Sequence, residues 1–208
     1  MSLNVIEKRV RWIGAVAMLV TLASILVGLG RGLRRPKGRR TGRAKKILRL
    51  PVYLLISVPY FGFCFCLWRS LPLTLSVRAR IVTLLLGSLL YFPGLAFVFW
   101  GRLTLGRMYN VSSGFGVELY TDQRLITHGP YAIVRHPMYV GLLIAALGGL
   151  LIYRTWTLVF LAMNALAVIV FRSRREEEAL AIEFGEQWAA YCQQVPACLP
   201  HWRAGRMR

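Results

Sequence analysis

The sequence predicts an all-α, polytopic membrane protein with about five transmembrane helices. Three stretches of 19 to 21 residues contain no charged side chain: 12–30, 50–68 and 81–101. Two shorter uncharged stretches, 138–153 and 155–171, are separated by a single arginine. About 20 apolar residues cross a hydrocarbon core of about 30 Å. We therefore expect the first three stretches to span the bilayer and the last two to form a tight helical hairpin that barely reaches the far face.

The composition agrees with a membrane protein. The chain of 208 residues is 56% hydrophobic and 17% charged, whereas soluble domains are about 45–50% apolar and about 25% charged. This hydrophobicity excludes an intrinsically disordered chain. Four cysteines in 208 residues argue against a secreted, disulfide-rich scaffold.

The basic residues predict the orientation. Segment 31–49 contains ten Lys and Arg and no acid, so the positive-inside rule places it in the cytoplasm. The N-terminus is then outside and the tail 172–208 is cytoplasmic, in a plasma or inner membrane of a prokaryote or the endoplasmic reticulum of a eukaryote. The segment lacks the aromatic residues that stack on bases. We therefore expect it to contact lipid headgroups, and we expect no nucleic-acid partner.

We divide the chain into two regions. Residues 1–101 form a three-span region that includes the basic loop. Residues 102–208 contain the hairpin 138–171, the cytoplasmic tail and most of the polar residues of interest. None of the uncharged stretches carries a carboxylate or a lysine, and transporters place such groups inside their bundles. This argues against a transporter.

The first polar patch is the motif HGPYAIVRHPMYVG, which ends at Gly141. His136 precedes a proline and is pushed towards an extended conformation, while Pro137 suits the first position of a helix. The helix that starts there directs unpaired N–H groups and a positive dipole end at the membrane interface. With Arg135 beside it, this terminus could bind a carboxylate or phosphate. Alternatively, Arg135 and His136 could be interfacial anchors.

The second polar patch follows the hairpin. Three arginines precede the acidic run Glu176, Glu177 and Glu178, and the sequence FGEQWAAYCQQVPACLP comes next. The hairpin brings both patches to one membrane face. The acids could alternatively pair with the arginines on a solvated helix. Cys192, Cys198 and His201 do not have zinc-ligand spacing, so we expect no metal.

Together the motifs resemble the isoprenylcysteine carboxyl methyltransferase family of integral membrane methyltransferases. The resemblance covers roughly residues 124–200: GPYAIVRHPMYVG, two spans, the paired acids, Phe184-Gly185, a WxxY motif and VPxxxP. Similar motifs recur in phospholipid N-methyltransferases and, modified, in membrane sterol reductases that use NADPH. The first three spans carry no family motif, and substrate choice is expected there.

The resemblance implies S-adenosylmethionine as the methyl donor and a lipidic or prenylated acceptor that approaches from the bilayer. It places Arg135, His136, Tyr139 and Gly141 on the cofactor pocket, with Glu176 and Glu177 closing it. The helix N-terminus with Arg135 or His136 could hold the methionine carboxylate, and a glutamate the ribose hydroxyls or the amino group. The ring of Tyr131 or Tyr139 could face the sulfonium.

The chemistry of the transfer depends on the acceptor. A prenylcysteine-like carboxylate, the acceptor that the resemblance favours, needs no general base, so positioning and desolvation would supply the acceleration. An amine or thiol would need a base, for which Glu177 is our candidate. We hypothesise that Arg172 or Arg174 orients an acidic acceptor. An NADPH-dependent membrane reductase and a non-enzymatic scaffold are the alternatives.

Overall fold

The computed structural model describes residues 2–33, 37–40, 50–109, 112–113 and 116–198. Most of the predicted basic loop 31–49 and the last proline of the VPxxxP motif, Pro200, lie outside these residues. The helices are α1 Leu3–Leu33, α2 Leu50–Cys66, α3 Val77–Leu105, α4 Pro137–Tyr153, α5 Trp156–Phe184 and α6 Glu186–Gln194. The strands are β1 Lys37–Arg40, β2 Ser112–Ser113 and β3 Gly116–Tyr120.

The helical membrane class is confirmed. Within the described residues, three helical stretches are long and apolar enough to cross a bilayer: Leu3–Gly32, Val77–Met108 and Trp156–Phe184. The apolar stretches Leu55–Cys66 and Pro137–Tyr153 are shorter. At about 1.5 Å per residue, a helix of 17 residues is only about 25 Å long. The chain is thus an integral membrane protein, and the count of five crossings stays a prediction.

A small antiparallel sheet was not expected. Its strand order is β1-β3-β2, with Lys37 paired with Tyr120 and Ser112 with Val117. β1 comes from the basic loop, for which we expected a role in topology and in contact with lipid headgroups but no strand. The strands are two to five residues long, too short for the alternating pattern by which a strand is recognised in a sequence.

The predicted hairpin is confirmed, and its first helix packs very closely on α3. A Cβ atom added to Gly148 would lie 2.4 Å from the backbone nitrogen of Tyr91, and one added to Gly94 would lie 2.6 Å from that of Ala145. Gly141 faces the same helix, because a Cβ there would lie 2.7 Å from the carbonyl oxygen of Gly94. Small residues permit this approach where lipid supplies no hydrophobic driving force.

α5 places its end beyond the hydrocarbon. Its 29 residues extend about 43 Å at 1.5 Å per residue, which exceeds a core of about 30 Å. The uncharged stretch ends at Phe171, so the last turns project from the membrane beside the start of α4. These turns carry the paired acids Glu176 and Glu177.

We predict that Gly148→Leu destabilises the protein, because the new side chain would displace α3 backbone; overpacking typically costs about 1–3 kcal/mol. The thermal unfolding midpoint in detergent should fall. Gly62→Leu is the matched control, since a Cβ at Gly62 meets no atom within 4 Å. Equal midpoints for the two variants would contradict the close α3–α4 packing.

Candidate functional site

The site is built around the start of α4. As predicted, the helix begins at Pro137, and His136 precedes it with φ −121° and ψ 58°. The backbone N–H groups of Arg135 and His136 donate to the carbonyl oxygens of Pro196 and Ala197 at 2.8 and 3.0 Å. The C-terminal segment is therefore bound through its backbone to the two residues that precede α4.

The Arg135 guanidinium holds three parts of the chain together. Its Nε and Nη2 donate to Oε1 of Glu177 at 3.1 and 2.8 Å. Its Nη1 donates to the carbonyl oxygens of Cys192 and Val195 at 3.2 and 3.0 Å. Only 12% of the arginine side chain is exposed. Arg135 thus ties the start of α4 to Glu177 on α5 and to residues 192–195 at the end of α6. Its N–H donors bind groups of the protein itself.

The two acids of α5 have different partners. His136 Nε2 lies 3.0 Å from Oε1 of Glu177, and the imidazole stacks on the ring of Tyr139 with 5.5 Å between centroids. The hydroxyl of Tyr139 donates to Oε1 of Glu176 at 2.5 Å. Arg172 Nε lies 3.4 Å from the same Glu176 oxygen. Glu177 therefore belongs to the arginine–histidine cluster, and Glu176 to the tyrosine–arginine cluster.

A cavity of about 360 Å³ opens beside these groups. Ligand pockets are commonly about 300–1,000 Å³, with a few placed polar groups on apolar walls. The polar and aromatic lining residues are Tyr109, Gln123, Tyr131, Arg135, His136, Tyr139, Arg172 and Glu176. The apolar lining comes from Ile25, Leu105, Met108, Leu119, Pro137, Met138, Leu142 and Leu180. The composition suits a ligand with both charged and aromatic parts.

Buried tyrosines fix the wall of the cavity. Tyr191 donates to the carbonyl oxygen of Tyr131 at 2.6 Å, and burial raises the pKa of Tyr191 to about 12. Burial also raises the pKa values of Tyr131 and Tyr109. All three hydroxyls therefore stay neutral near pH 7. None of them is a base for proton abstraction there.

The structure brings most of the predicted residues together. Six of them line the cavity: Tyr131, Arg135, His136, Tyr139, Arg172 and Glu176. Three others do not. Glu177 lies behind the lining, bound to Arg135 and His136, Gly141 faces α3, and Arg174 is exposed.

Sequence reasoning missed the wall that precedes the motif. Met108, Tyr109 and Gln123 line the cavity, and no motif marks their segment. Arg102 stands behind this wall, 6% exposed, with its Cζ 4.3 Å from the centre of the Tyr109 ring. Its Nε has no hydrogen-bond partner among the described residues. An arginine directly after an uncharged stretch could have signalled this position.

A second, apolar cavity of about 700 Å³ lies within the helix bundle. Its walls come from helices α1 to α5 and from Trp68 just after α2: Ala15, Met18, Leu19, Tyr60, Trp68, Tyr91, Leu95, Leu142, Ala145, Ala146, Tyr153, Leu158, Leu161, Asn164 and Ala165. Leu142 lines both this cavity and the polar one. The two cavities are therefore neighbours, with Leu142 on the wall of each.

Comparison with known protein families shows which family the chain belongs to. The family model described as phospholipid methyltransferase matches residues 82–187, about half of the chain. The chain belongs to the phospholipid methyltransferase family. The matched range runs from α3 to the start of α6 and includes both clusters of the site.

Two kinds of curated proteins are similar to part of the chain. A protein-S-isoprenylcysteine O-methyltransferase of Schizosaccharomyces pombe is 39% identical over 84 residues, covering 38% of the chain and 34% of the relative. A probable enzyme of that name from Oryza sativa subsp. indica is 40% identical over 92 residues, covering 39% of the chain and 44% of the relative. A Delta(14)-sterol reductase of Mus musculus is 35% identical over 85 residues, covering 36% of the chain and 19% of the relative.

These matches confirm the resemblance that the motifs indicated. They also set its extent, because the aligned part of the chain spans less than half the length of each of these relatives.

We predict that Glu177→Ala destabilises the folded protein, because it leaves the Arg135 charge without its carboxylate. Breaking a buried pair costs about 3–5 kcal/mol, and we expect roughly 1–3 kcal/mol here, since 28% of the Glu177 side chain is exposed. Thermal unfolding in detergent measures the loss. Glu178→Ala is the control, because this neighbouring acid is exposed. If both variants unfold at the wild-type temperature, Arg135 is not the clamp described here.

Proposed function

We propose that this protein is an S-adenosylmethionine-dependent membrane methyltransferase acting on a lipidic acceptor. One observation carries the proposal: a polar cavity at the membrane face shares Leu142 with an apolar cavity inside the bundle. A transferase that joins a water-soluble donor to a membrane-embedded acceptor needs two such neighbouring compartments. The family relationship supports the same conclusion.

The residues of the polar cavity fit the methyl donor. Glu176 offers a carboxylate to the amino group or the ribose hydroxyls, and it is positioned by Tyr139. The rings of Tyr131 and Tyr139 line the same space and suit a sulfonium, which aromatic faces attract. We assign Glu177 a positioning role instead, because it binds Arg135 and His136.

S-adenosylmethionine would supply a methyl group bound to a sulfonium sulfur. In the transfer, the acceptor atom forms a bond to the methyl carbon while the carbon–sulfur bond breaks and its electron pair stays on sulfur. The protein aligns the two partners and excludes water, which supplies most of the acceleration in such reactions. A carboxylate acceptor releases no proton, so no base is needed.

We favour a carboxylate on an isoprenylcysteine-like lipid as the acceptor. The relatives named as isoprenylcysteine O-methyltransferases support this choice. Arg172 lines the polar cavity, whereas Arg174 is exposed, so Arg172 is our candidate for orienting the acceptor carboxylate. The hydrocarbon part of the acceptor would occupy the apolar cavity.

Glu176→Gln is expected to weaken S-adenosylmethionine binding about tenfold, the value of one charge-assisted hydrogen bond of about 1.4 kcal/mol. Calorimetry on the detergent-purified protein measures the dissociation constant. Glu178→Gln is the control, because Glu178 is an exposed acid on the same helix. Wild-type affinity in Glu176→Gln would remove Glu176 from the donor site.

The same titration with NADPH separates the second candidate function. The similarity to a Delta(14)-sterol reductase makes a reductase the specific alternative. NADPH binding without S-adenosylmethionine binding would assign the protein to that class. Binding of neither cofactor by folded protein would favour a scaffold.

Leu161→Phe is expected to raise the KM for the lipidic acceptor several-fold by filling the apolar cavity, while the dissociation constant of the methyl donor stays unchanged. Leu166→Phe is the matched control, because Leu166 lies on the same helix, is 47% exposed and is not among the lining residues. A tritiated-methyl transfer assay with a farnesylated cysteine derivative measures the acceptor KM, and calorimetry measures the dissociation constant of the methyl donor. Identical acceptor KM values for the two variants would argue against this cavity as the acceptor site.

A further inference from the structure

A third cavity, of about 500 Å³, lies at the end of the bundle opposite to the candidate site. It is formed where α1 and α3 begin, where α4 ends, and by the loop that joins α2 to α3. Its lining residues are Asn4, Glu7, Lys8, Arg11, Ser70, Leu71, Leu73, Leu75, Arg80, Tyr153 and Arg154. The 17 residues of α4 separate it from the methyl-donor cavity by about 25 Å.

One buried carboxylate organises this cavity. Oε1 of Glu7 accepts from Nη2 of Arg11 at 2.6 Å, and Oε2 accepts from Nη2 of Arg80 at 2.5 Å. Arg154 also donates to Glu7. Arg154 lies at the tip of the hairpin, but only 14% of its side chain is exposed. The carboxylate of α1 draws it back into the bundle.

The positive charge of the cavity exceeds what Glu7 can balance. Three guanidinium groups and the ammonium of Lys8 line the same space as this single carboxylate. The other seven acids of the chain all have numbers of 118 or higher, and their segments lie at the candidate-site end. The side chains of Arg11 and Arg80 are 38% and 31% exposed, so they can reach a ligand. The cavity suits an anion.

A neighbouring slot of about 340 Å³ shares four residues with this cavity. The slot adds Trp12 and Trp68, which are 70% and 54% exposed, and tryptophans concentrate where a bilayer meets water. It also adds Thr155, which is 6% exposed.

We propose that the basic cavity and the slot together bind an anionic membrane lipid. The phosphate of its headgroup lies among Lys8, Arg11 and Arg80, and the acyl chains leave the slot across Trp12. Both indoles mark this position as the membrane interface, which favours a lipid over a soluble anion. The site is separate from the methyl-donor cavity and does not depend on the proposed activity.

The test titrates the detergent-purified full chain with three probes: dioctanoyl phosphatidic acid, dioctanoyl phosphatidylcholine and inorganic phosphate. Phosphatidic acid should bind at least about tenfold more tightly than the other two, since each basic residue near an anionic lipid contributes about 1 kcal/mol. Lys8→Gln should weaken the binding of phosphatidic acid about fivefold, because it removes one such basic residue. Arg9→Gln, a change at the exposed neighbouring residue that does not line the cavity, should leave binding unchanged.

Saturation with S-adenosylmethionine, and Glu176→Gln, should leave the lipid affinity unchanged, so the outcome is independent of the proposed function.

Three results would overturn the lipid site. Equal phosphatidic acid affinities in Lys8→Gln and Arg9→Gln would show that the cavity does not hold the headgroup. Inorganic phosphate binding as tightly as phosphatidic acid would indicate a soluble anion instead. Phosphatidylcholine binding as tightly as phosphatidic acid would show that the excess positive charge does not select anionic lipids.

Discussion

The contacts of Arg135 hold the candidate site together. Its guanidinium joins residues that are 42 to 60 positions away in the sequence. A guanidinium left buried without a partner costs several kcal/mol, so the start of α4, the end of α5 and the C-terminal tail must stay together. The polar cavity forms beside this junction, and its shape depends on the same contacts. We therefore regard Arg135 and Glu177 as positioning residues.

Two adjacent acids on α5 have different partners because a helix rotates about 100° per residue. Glu177 faces α4 and pairs with Arg135 and His136. Glu176 faces the cavity and is held by Tyr139 and Arg172. In the proposed reaction, the first acid maintains the fold of the site and the second contacts the methyl donor. The paired acids of the motif thus combine structure and binding.

α4 connects the two ends of the molecule. Glycines bring it within backbone contact of α3, so the two helices form a closely packed pair. One end of this pair holds the polar cavity, and the other holds the Glu7 cluster. Between them the bundle is apolar, as a membrane requires, and contains the cavity that we assign to the acceptor. Charged groups are confined to the two ends, because burying them in hydrocarbon is costly.

The amino-acid sequence by itself determined the membrane class, the hairpin, the start of α4 at Pro137 and the identity of six residues that line the cavity. These follow from local rules: uncharged length, the conformation before proline, and a motif of fixed spacing. Only the tertiary structure decided that Glu177 and Arg135 bind each other, that Gly141 packs on α3, and that Arg154 turns back to Glu7. It also revealed the walls at Tyr109 and Gln123. These are contacts between distant segments, and no local pattern specifies which side chain meets which partner across a bundle.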